Sequence, residues 1–260
     1  MKKITKAIIA ITACLTALAA ASCTKDNTIR YNNATMGNIV NGTFTSDQGN
    51  IFTIVDQTCP GKLDTMKRAF VICDVLNKTA SGDENEYDVR VNHIANVLTK
   101  NVVTSADAKD EMTVQDPVHV EYAWVAGGYI NLFIMFPVKV GSTTKHLINL
   151  VHEGEMTDAQ TGEPVANTFR FTLRHNSYED KITSDQEVDY VLSGGYVSFP
   201  LNNYILAEEA DFSIEWVWHK NAGAGLSSET EIRSLTGKYS TESYQHAPQI
   251  SSTRAAANVK

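Results

Sequence analysis

The chain has 260 residues, with 22 Lys and Arg against 30 Asp and Glu and a formal net charge of −8. The acids are dispersed rather than run together, as on a solvated surface, and the balance disfavours nucleic acid or anionic lipid headgroups as partners. Internal repeats, coiled-coil heptads and long low-complexity tracts are absent from the sequence.

Residues 1–22 have the layout of an export signal. Lys2, Lys3 and Lys6 precede an apolar run from Ala7 to Ala21 that is too short to span a bilayer. The run ends in Leu18-Ala19-Ala20-Ala21-Ser22-Cys23, small residues followed by a cysteine. This lipobox-like end predicts cleavage ahead of Cys23 and acylation of that cysteine. Several acyl chains on one residue hold a protein firmly where a single chain does not. Residues 24–35 are polar and poor in core residues, and read as a tether (23–36). Removing the leader removes three lysines and no acid, so the mature 238 residues carry a net charge of about −11.

That length predicts two small domains. In the first, over residues 37–100, Ile39 to Phe44 and Ile51 to Val55 flank the turn Ser46-Asp47-Gln48-Gly49. Further strands are expected at Ala69 to Leu76 and Tyr87 to Val91, with a helical turn over Asp64 to Arg68. Four or five short strands in so few residues predict an OB-like β-barrel. The polar stretch 101–115 reads as a linker.

The second domain, over residues 116–235, opens with three segments that read as a meander, divided at Ala126-Gly127-Gly128 and Gly141-Ser142-Thr143. In the middle one Ile130, Leu132, Ile134, Phe136, Val138 and Val140 share a face. Tyr129, Asn131, Phe133 and Met135 share the other, so both faces are at least partly covered. Phe169, Phe171 and Leu173 alternate, as do Val197, Phe199 and Leu201. Phe212, Ile214, Trp216 and Trp218 form a last, aromatic stripe. About seven strands predict an immunoglobulin-like β-sandwich, and the chain as a whole is expected to be all-β. Residues 236–260 read as a polar tail.

Motifs for chemistry are sparse, and no catalytic, cofactor-binding or metal-ligating residue is assigned. His146 and His152 are six residues apart, about 20 Å along a strand, too far to share a metal. His175 can meet His146 across a hairpin, but two histidines do not make a site. Glu153, Glu155 and Asp158 fall in a loop, and Gly223-Ala224-Gly225 lacks the lysine and helix of a phosphate loop. Cys14 leaves with the leader, so Cys59 and Cys73 remain and form a candidate disulfide in an oxidising compartment. It would close about fifteen residues and contribute roughly 3 kcal/mol.

Several segments together resemble the NigD-like lipoproteins of Bacteroides-type bacteria. They are the lipobox-like start, ANVLTK at 95–100, Asp116-Pro117, Trp124, Tyr129-Ile130-Asn131-Leu132, His146-Leu147-Ile148-Asn149-Leu150-Val151 and Leu173-Arg174-His175. The resemblance covers roughly residues 37–235 and implies an N-terminal OB-like domain followed by a β-sandwich, in an envelope lipoprotein without transferable catalytic residues. Thr24-Lys25-Asp26-Asn27 resembles, one acid short, the export signal of surface lipoproteins in such bacteria. The expected place is therefore the outer membrane, with periplasmic and surface faces both open. Asp64-Thr65-Met66 resembles an O-glycosylation acceptor of that lineage, which makes Thr65 a candidate glycan site. The expected function is a non-enzymatic binding or assembly role, with a membrane contact through the lipid and an envelope protein or glycan as partner. The alternative is a carbohydrate- or peptide-active hydrolase working between the two domains.

Overall fold

The computed structural model describes residues 34–78, 85–181, 189–201, 209–222 and 225–240. Within them the chain is all-β apart from two 3-10 turns, Leu63–Thr65 and Asp110–Met112. The first five strands are β1 (Thr35–Val40), β2 (Thr43–Ser46), β3 (Ile51–Gln57), β4 (Arg68–Lys78) and β5 (Glu86–Asn96). They close into a barrel in the order β1-β2-β3-β5-β4, with β1 paired to both β2 and β4. Phe44, Phe52, Val71, Cys73, Val75, Val89 and Val91 fill it.

The segment Ile39 to Phe44 is not one strand. Asn41 and Gly42 both have positive φ, 52° and 80°, and turn the chain back so that Ile39 faces Phe44. Asn-Gly is the pair a tight hairpin turn demands, because both central residues must adopt the left-handed conformation. The predicted turn at Ser46 to Gly49 is present as the next connection, between β2 and β3.

The remaining strands are β6 (Leu98–Thr99), β7 (Val103–Thr104), β8 (His119–Ala126), β9 (Tyr129–Lys139), β10 (Leu147–Gly154), β11 (Thr168–Asn176), β12 (Tyr190–Pro200), β13 (Glu209–Ala222) and β14 (Gly225–Ser240). They form two sheets, β6-β12-β9-β8 and β14-β13-β11-β10-β7. Their facing sides enclose one core, to which β9 gives Ile130, Leu132, Ile134, Phe136 and Val138, and β13 gives Phe212, Ile214, Trp216 and Trp218. This is the expected β-sandwich, with the period-two faces pointing inward.

Further expectations need correction. The three segments are not a meander, because β10 pairs with β11 and β7 in the opposite sheet while β9 pairs with β8 and β12. The connection around Gly141 crosses the sandwich, and Val140, beyond the end of β9, is 61% exposed. The linker reading of 101–115 misses that β7 lies inside it and that Gln115 bridges to His175. The tail reading begins too early, since residues 236–240 belong to β14 and Tyr239 packs on the core. In both stretches a partner strand satisfies the backbone of a sequence whose side chains are mostly polar.

The second face of β9 meets the barrel. Phe133 with Trp124, Ala126 and Tyr196 from the sandwich packs on Met36, Phe70, Ala95 and Val97. Phe70 stacks on Tyr196 with ring centroids 4.7 Å apart. A closely packed apolar seam of this kind joins the two units as a domain core does.

Candidate functional site

Two clusters of buried polar side chains stand out, one in the seam and one at the far end of the sandwich. In the seam, Arg68 opens β4 and its guanidinium forms a bidentate ion pair with Asp47 from the β2–β3 turn, both side chains being almost completely buried. Its remaining N–H groups donate to Asn38 Oδ1 at 3.0 Å, Ser198 Oγ at 2.9 Å and Asn131 Oδ1 at 2.9 Å. Ser198 Oγ donates in turn to Asn131 Oδ1 at 2.7 Å. The Tyr129 ring covers the guanidinium, 4.2 Å from centroid to carbon. Burial raises the Asp47 pKa, while the hydrogen bonds and charge of Arg68 lower it; burial prevails.

The local sequence explains this construction. Asn131 and Ser198 are polar residues set inside strands on the face turned to the barrel, and they pair directly across β9 and β12. The β8–β9 turn presses against Asp47. A Cβ at Gly127 would lie 2.3 Å from Asp47 Oδ1, and its φ of +61° favours glycine as well. The ANVLTK segment is the strap between the units. Ala95 and Val97 lie in the seam, Val97 N donates to Arg68 O, and Leu98–Thr99 continues as β6 beside β12.

At the far end, His146 precedes β10 and His175 lies in β11, opposite Ile148. His146 is 0% and His175 2% exposed. His146 Nδ1 stands 2.9 Å from His175 Nε2, as the hairpin geometry predicted, and His146 Nε2 stands 3.2 Å from Asp180 Oδ2. His175 Nδ1 faces the Pro117 carbonyl at 2.9 Å and that of Asp116 at 3.3 Å. Phe136 lies against both imidazoles. The Asp116 carboxylate takes hydrogen bonds from Ser177 and an ion pair from Lys181 at 2.8 Å. Burial raises the Asp116 pKa, but Lys181 and Ser177 together hold it below the usual carboxylate range. Among the described residues no three His, Cys, Asp or Glu side chains come together as a metal-ligand set.

The other candidates stay apart. His152 sits at the opposite end of β10, packed on Phe169 and Phe171. Glu153 pairs with Arg174 at 2.8 Å, and Asp158 accepts the N–H groups of Gln160 and Thr161 in its own turn. Cys59 and Cys73 carry free thiols, so the candidate disulfide is not formed. Cys73 is buried inside the barrel, and Cys59, beyond β3, packs against the same core with its Sγ 3.9 Å from the carbonyl of Val91, the residue opposite Cys73. Thr65 is exposed in the first 3-10 turn, its hydroxyl donating to Lys62 O at 2.7 Å. Cys23, Cys14 and the Gly223-Ala224 pair lie outside the described residues. Sequence reasoning missed the seam cluster, although Arg68 beside a hydrophobic run and Asn131 on a covered face were its signals.

No curated protein matches the chain. Solved structures share its fold. A protein of unknown function from Bacteroides vulgatus is 17% identical, covering 87% of this chain and 97% of its own, with a TM-score of 0.54. A Bacteroides fragilis protein described as a candidate lipoprotein is 17% identical, over 81% of this chain and 99% of its own, with a TM-score of 0.55. One from Parabacteroides distasonis, described as a candidate toxin-related protein, is 23% identical over 80% and 92%, with a TM-score of 0.51. At such identities the likeness is one of fold. The NigD-like C-terminal β-sandwich domain matches residues 101–232, which take in Asp116-Pro117, Asn131, His146 and His175, and the chain belongs to that NigD-like family.

Proposed function

We propose that the protein is a lipid-anchored component of the cell envelope that binds or assembles with other envelope molecules and performs no catalysis. The observation that carries this reading is the enclosure of the His146–His175–Asp180 cluster. Those side chains have the chemistry of an acid–base site, yet they are sealed under β-strands and consumed in contacts with one another. A catalytic group must reach the proton it moves, directly or through one water. The rival hydrolase needs a cleft with two facing carboxyls. The seam instead holds stacked aromatics, and its buried carboxylate, Asp47, is tied to Arg68.

The family resemblance and the lipobox support anchoring through Cys23 in the outer membrane. The eleven residues between Cys23 and Thr35 extend at most about 40 Å, so the fold stays close to the lipid surface. The partner in this reading is an envelope protein or glycan, and the acidic body argues against nucleic acid.

Fractionation of cells carrying wild type or Cys23→Ala tests the anchor. The wild type is expected in the outer membrane and the variant in the soluble fraction. A variant that stays membrane-bound and is still processed as a lipoprotein overturns the anchoring. Cross-linking in intact envelopes, followed by mass spectrometry, tests the binding role. A defined cross-linked partner supports it, and glycan or peptide hydrolysis by the purified protein refutes it. Protease treatment of intact cells separates surface from periplasmic display.

A further inference from the structure

The far-end cluster contains three polar contacts in series. They run from the Pro117 carbonyl to His175, from His175 to His146, and from His146 to Asp180. Both ends of the series can only accept. A backbone carbonyl has no proton, and an ionised carboxylate has none either. Burial raises the Asp180 carboxyl, but hydrogen bonds from Ser142, the Lys139 N–H and His146 hold it below the usual carboxylate range, so it is ionised. Three hydrogen bonds need three N–H groups, and two neutral imidazoles supply two.

No choice of tautomers escapes this count, and if each ring donates outward, His175 to Pro117 and His146 to Asp180, two lone pairs face each other across the 2.9 Å between the rings. If His175 donates to Pro117 and His146 donates to His175, then His146 Nε2 turns a lone pair toward the Asp180 carboxylate at 3.2 Å. If His146 donates to Asp180 and His175 donates to His146, then His175 Nδ1 turns its lone pair toward the Pro117 carbonyl at 2.9 Å. Each arrangement leaves an unmade bond between buried acceptors, which is costly in an apolar surrounding.

We propose that the His146–His175 pair holds one proton more than two neutral imidazoles carry, and that this proton clamps the two sheets at the end of the sandwich away from the barrel. The elements it ties explain the term. The Lys139 N–H, held by Asp180, ends β9 in one sheet, whereas Pro117 lies where the chain, through the Asp116 and Val118 N–H groups, is still bonded to β11 and β13 before it enters β8, so the tie between sheets is His146 to Asp180. His146 leads into β10 and His175 lies in β11, both in the other.

The surrounding charges favour a single added proton. The Asp180 carboxylate faces His146, and Asp116 stands beyond it with its own charge matched by Lys181. The Glu179 carboxylate points to solvent beside Lys181, while β9 contributes the uncharged Phe136 and the charged Lys139, whose ammonium donates to the Glu179 carbonyl at 2.9 Å. Burial lowers the His146 pKa below its ordinary value, although the Asp180 hydrogen bond and the Asp180 and Asp116 charges raise it. Against burial stands the hydrogen that a neutral pair lacks in a row of three buried contacts. A second added proton is resisted, because burial and then the charge on His146 press the His175 pKa down to about 4.

The consequence is a stability optimum. Unfolded, the two rings carry two added protons below their ordinary pKa of about 6.5 and none above it. Folded, they carry one. Below about 6.5 the unfolded chain binds more protons, and above it the folded chain does until the pair releases its proton, so this contribution peaks near pH 6.5, falls on both sides and levels off once the proton is lost. The test compares unfolding of wild type and Asp180→Asn from pH 5 to 9. The asparagine amide donates to His146 Nε2 and supplies the third hydrogen without a proton. The folding constant of the wild type is expected to fall against that of the variant by up to tenfold per pH unit above 6.5, with the other histidines cancelling. Parallel profiles overturn the proposal. Imidazole 15N spectra of the folded wild type give a reading independent of the variant. One shared added proton at pH 6.5 supports the clamp, and two neutral rings refute it.

Discussion

Replacing Arg68 by methionine leaves the Asp47 carboxylate inside the seam with its ion pair gone. The change also strips hydrogen bonds from Asn38, Asn131 and Ser198. Removing one partner of a buried pair costs about 3–5 kcal/mol, mainly through the charge left behind. For a fold of this size that corresponds to a fall in Tm of roughly 6–20 °C. The loss should also depend on pH. Arg68 lowers the Asp47 pKa against burial, so without it the folded-state value rises further above that of the unfolded chain. The folded variant then binds a proton that the unfolded chain lacks, and its stability declines as pH rises through the raised pKa. Urea unfolding followed by tryptophan fluorescence at pH 5 and pH 8 measures both effects. The double variant Arg68→Met/Asp47→Leu removes the stranded charge and should regain much of the loss. A single variant within about 1 kcal/mol of wild type, or a double variant worse than the single, refutes the argument.

Gly127→Ala should cost at least about 1 kcal/mol, because the residue is left-handed and its Cβ would collide with Asp47; an unchanged urea midpoint counts against the docking of that turn. Alkylation of the unreduced native protein should modify Cys59 first, since burial and then the Asp74 charge push the Cys73 thiol up to about 11, and denaturation should expose both thiols. A denatured, unreduced protein that takes up no label would show the bridge to exist. If Thr65 carries a glycan, Thr65→Ala lowers the intact mass of the envelope-purified protein by more than the substitution itself, and a difference equal to the substitution ends the idea.

The strands were legible because a β-face repeats every two residues. The faces of Ile130 to Val138 and Phe212 to Trp218 were read from that alone and are buried as expected. The sheet to which each strand belongs was not legible. The connection through Gly141 serves a hairpin or a crossing equally well, and only the packing of β10 on β11 selects the crossing. The polar clusters were less legible still. Arg68 and Ser198 are 130 positions apart, and no local pattern records that a guanidinium on one strand needs a hydroxyl on another. The family segments nevertheless lead to these places. Asn131 joins the seam network, while Asp116-Pro117, His146 and His175 meet at the far end. Segments that read as packing are, at those positions, the polar fastenings of the packing.

The barrel closes on itself, but among the described residues the five-stranded sheet ends at β14, sixteen residues long and paired there with β13 alone. An open flank of that length is a template on which another chain can add a strand. Its sequence works against such growth. Glu229, Glu231, Arg233 and Lys238 punctuate the strand, and they are matched within the same hairpin by Lys220, Glu231 and Asp211. Ile232, 74% exposed, sits between two of those charges and not in a continuous apolar run. Stacking two such flanks in parallel would set like charges side by side and strip water from them, a penalty that added salt weakens. Colloidal behaviour is therefore written into one strand, and concentrated protein should stay monodisperse at low ionic strength and self-associate first through β14 as salt is raised.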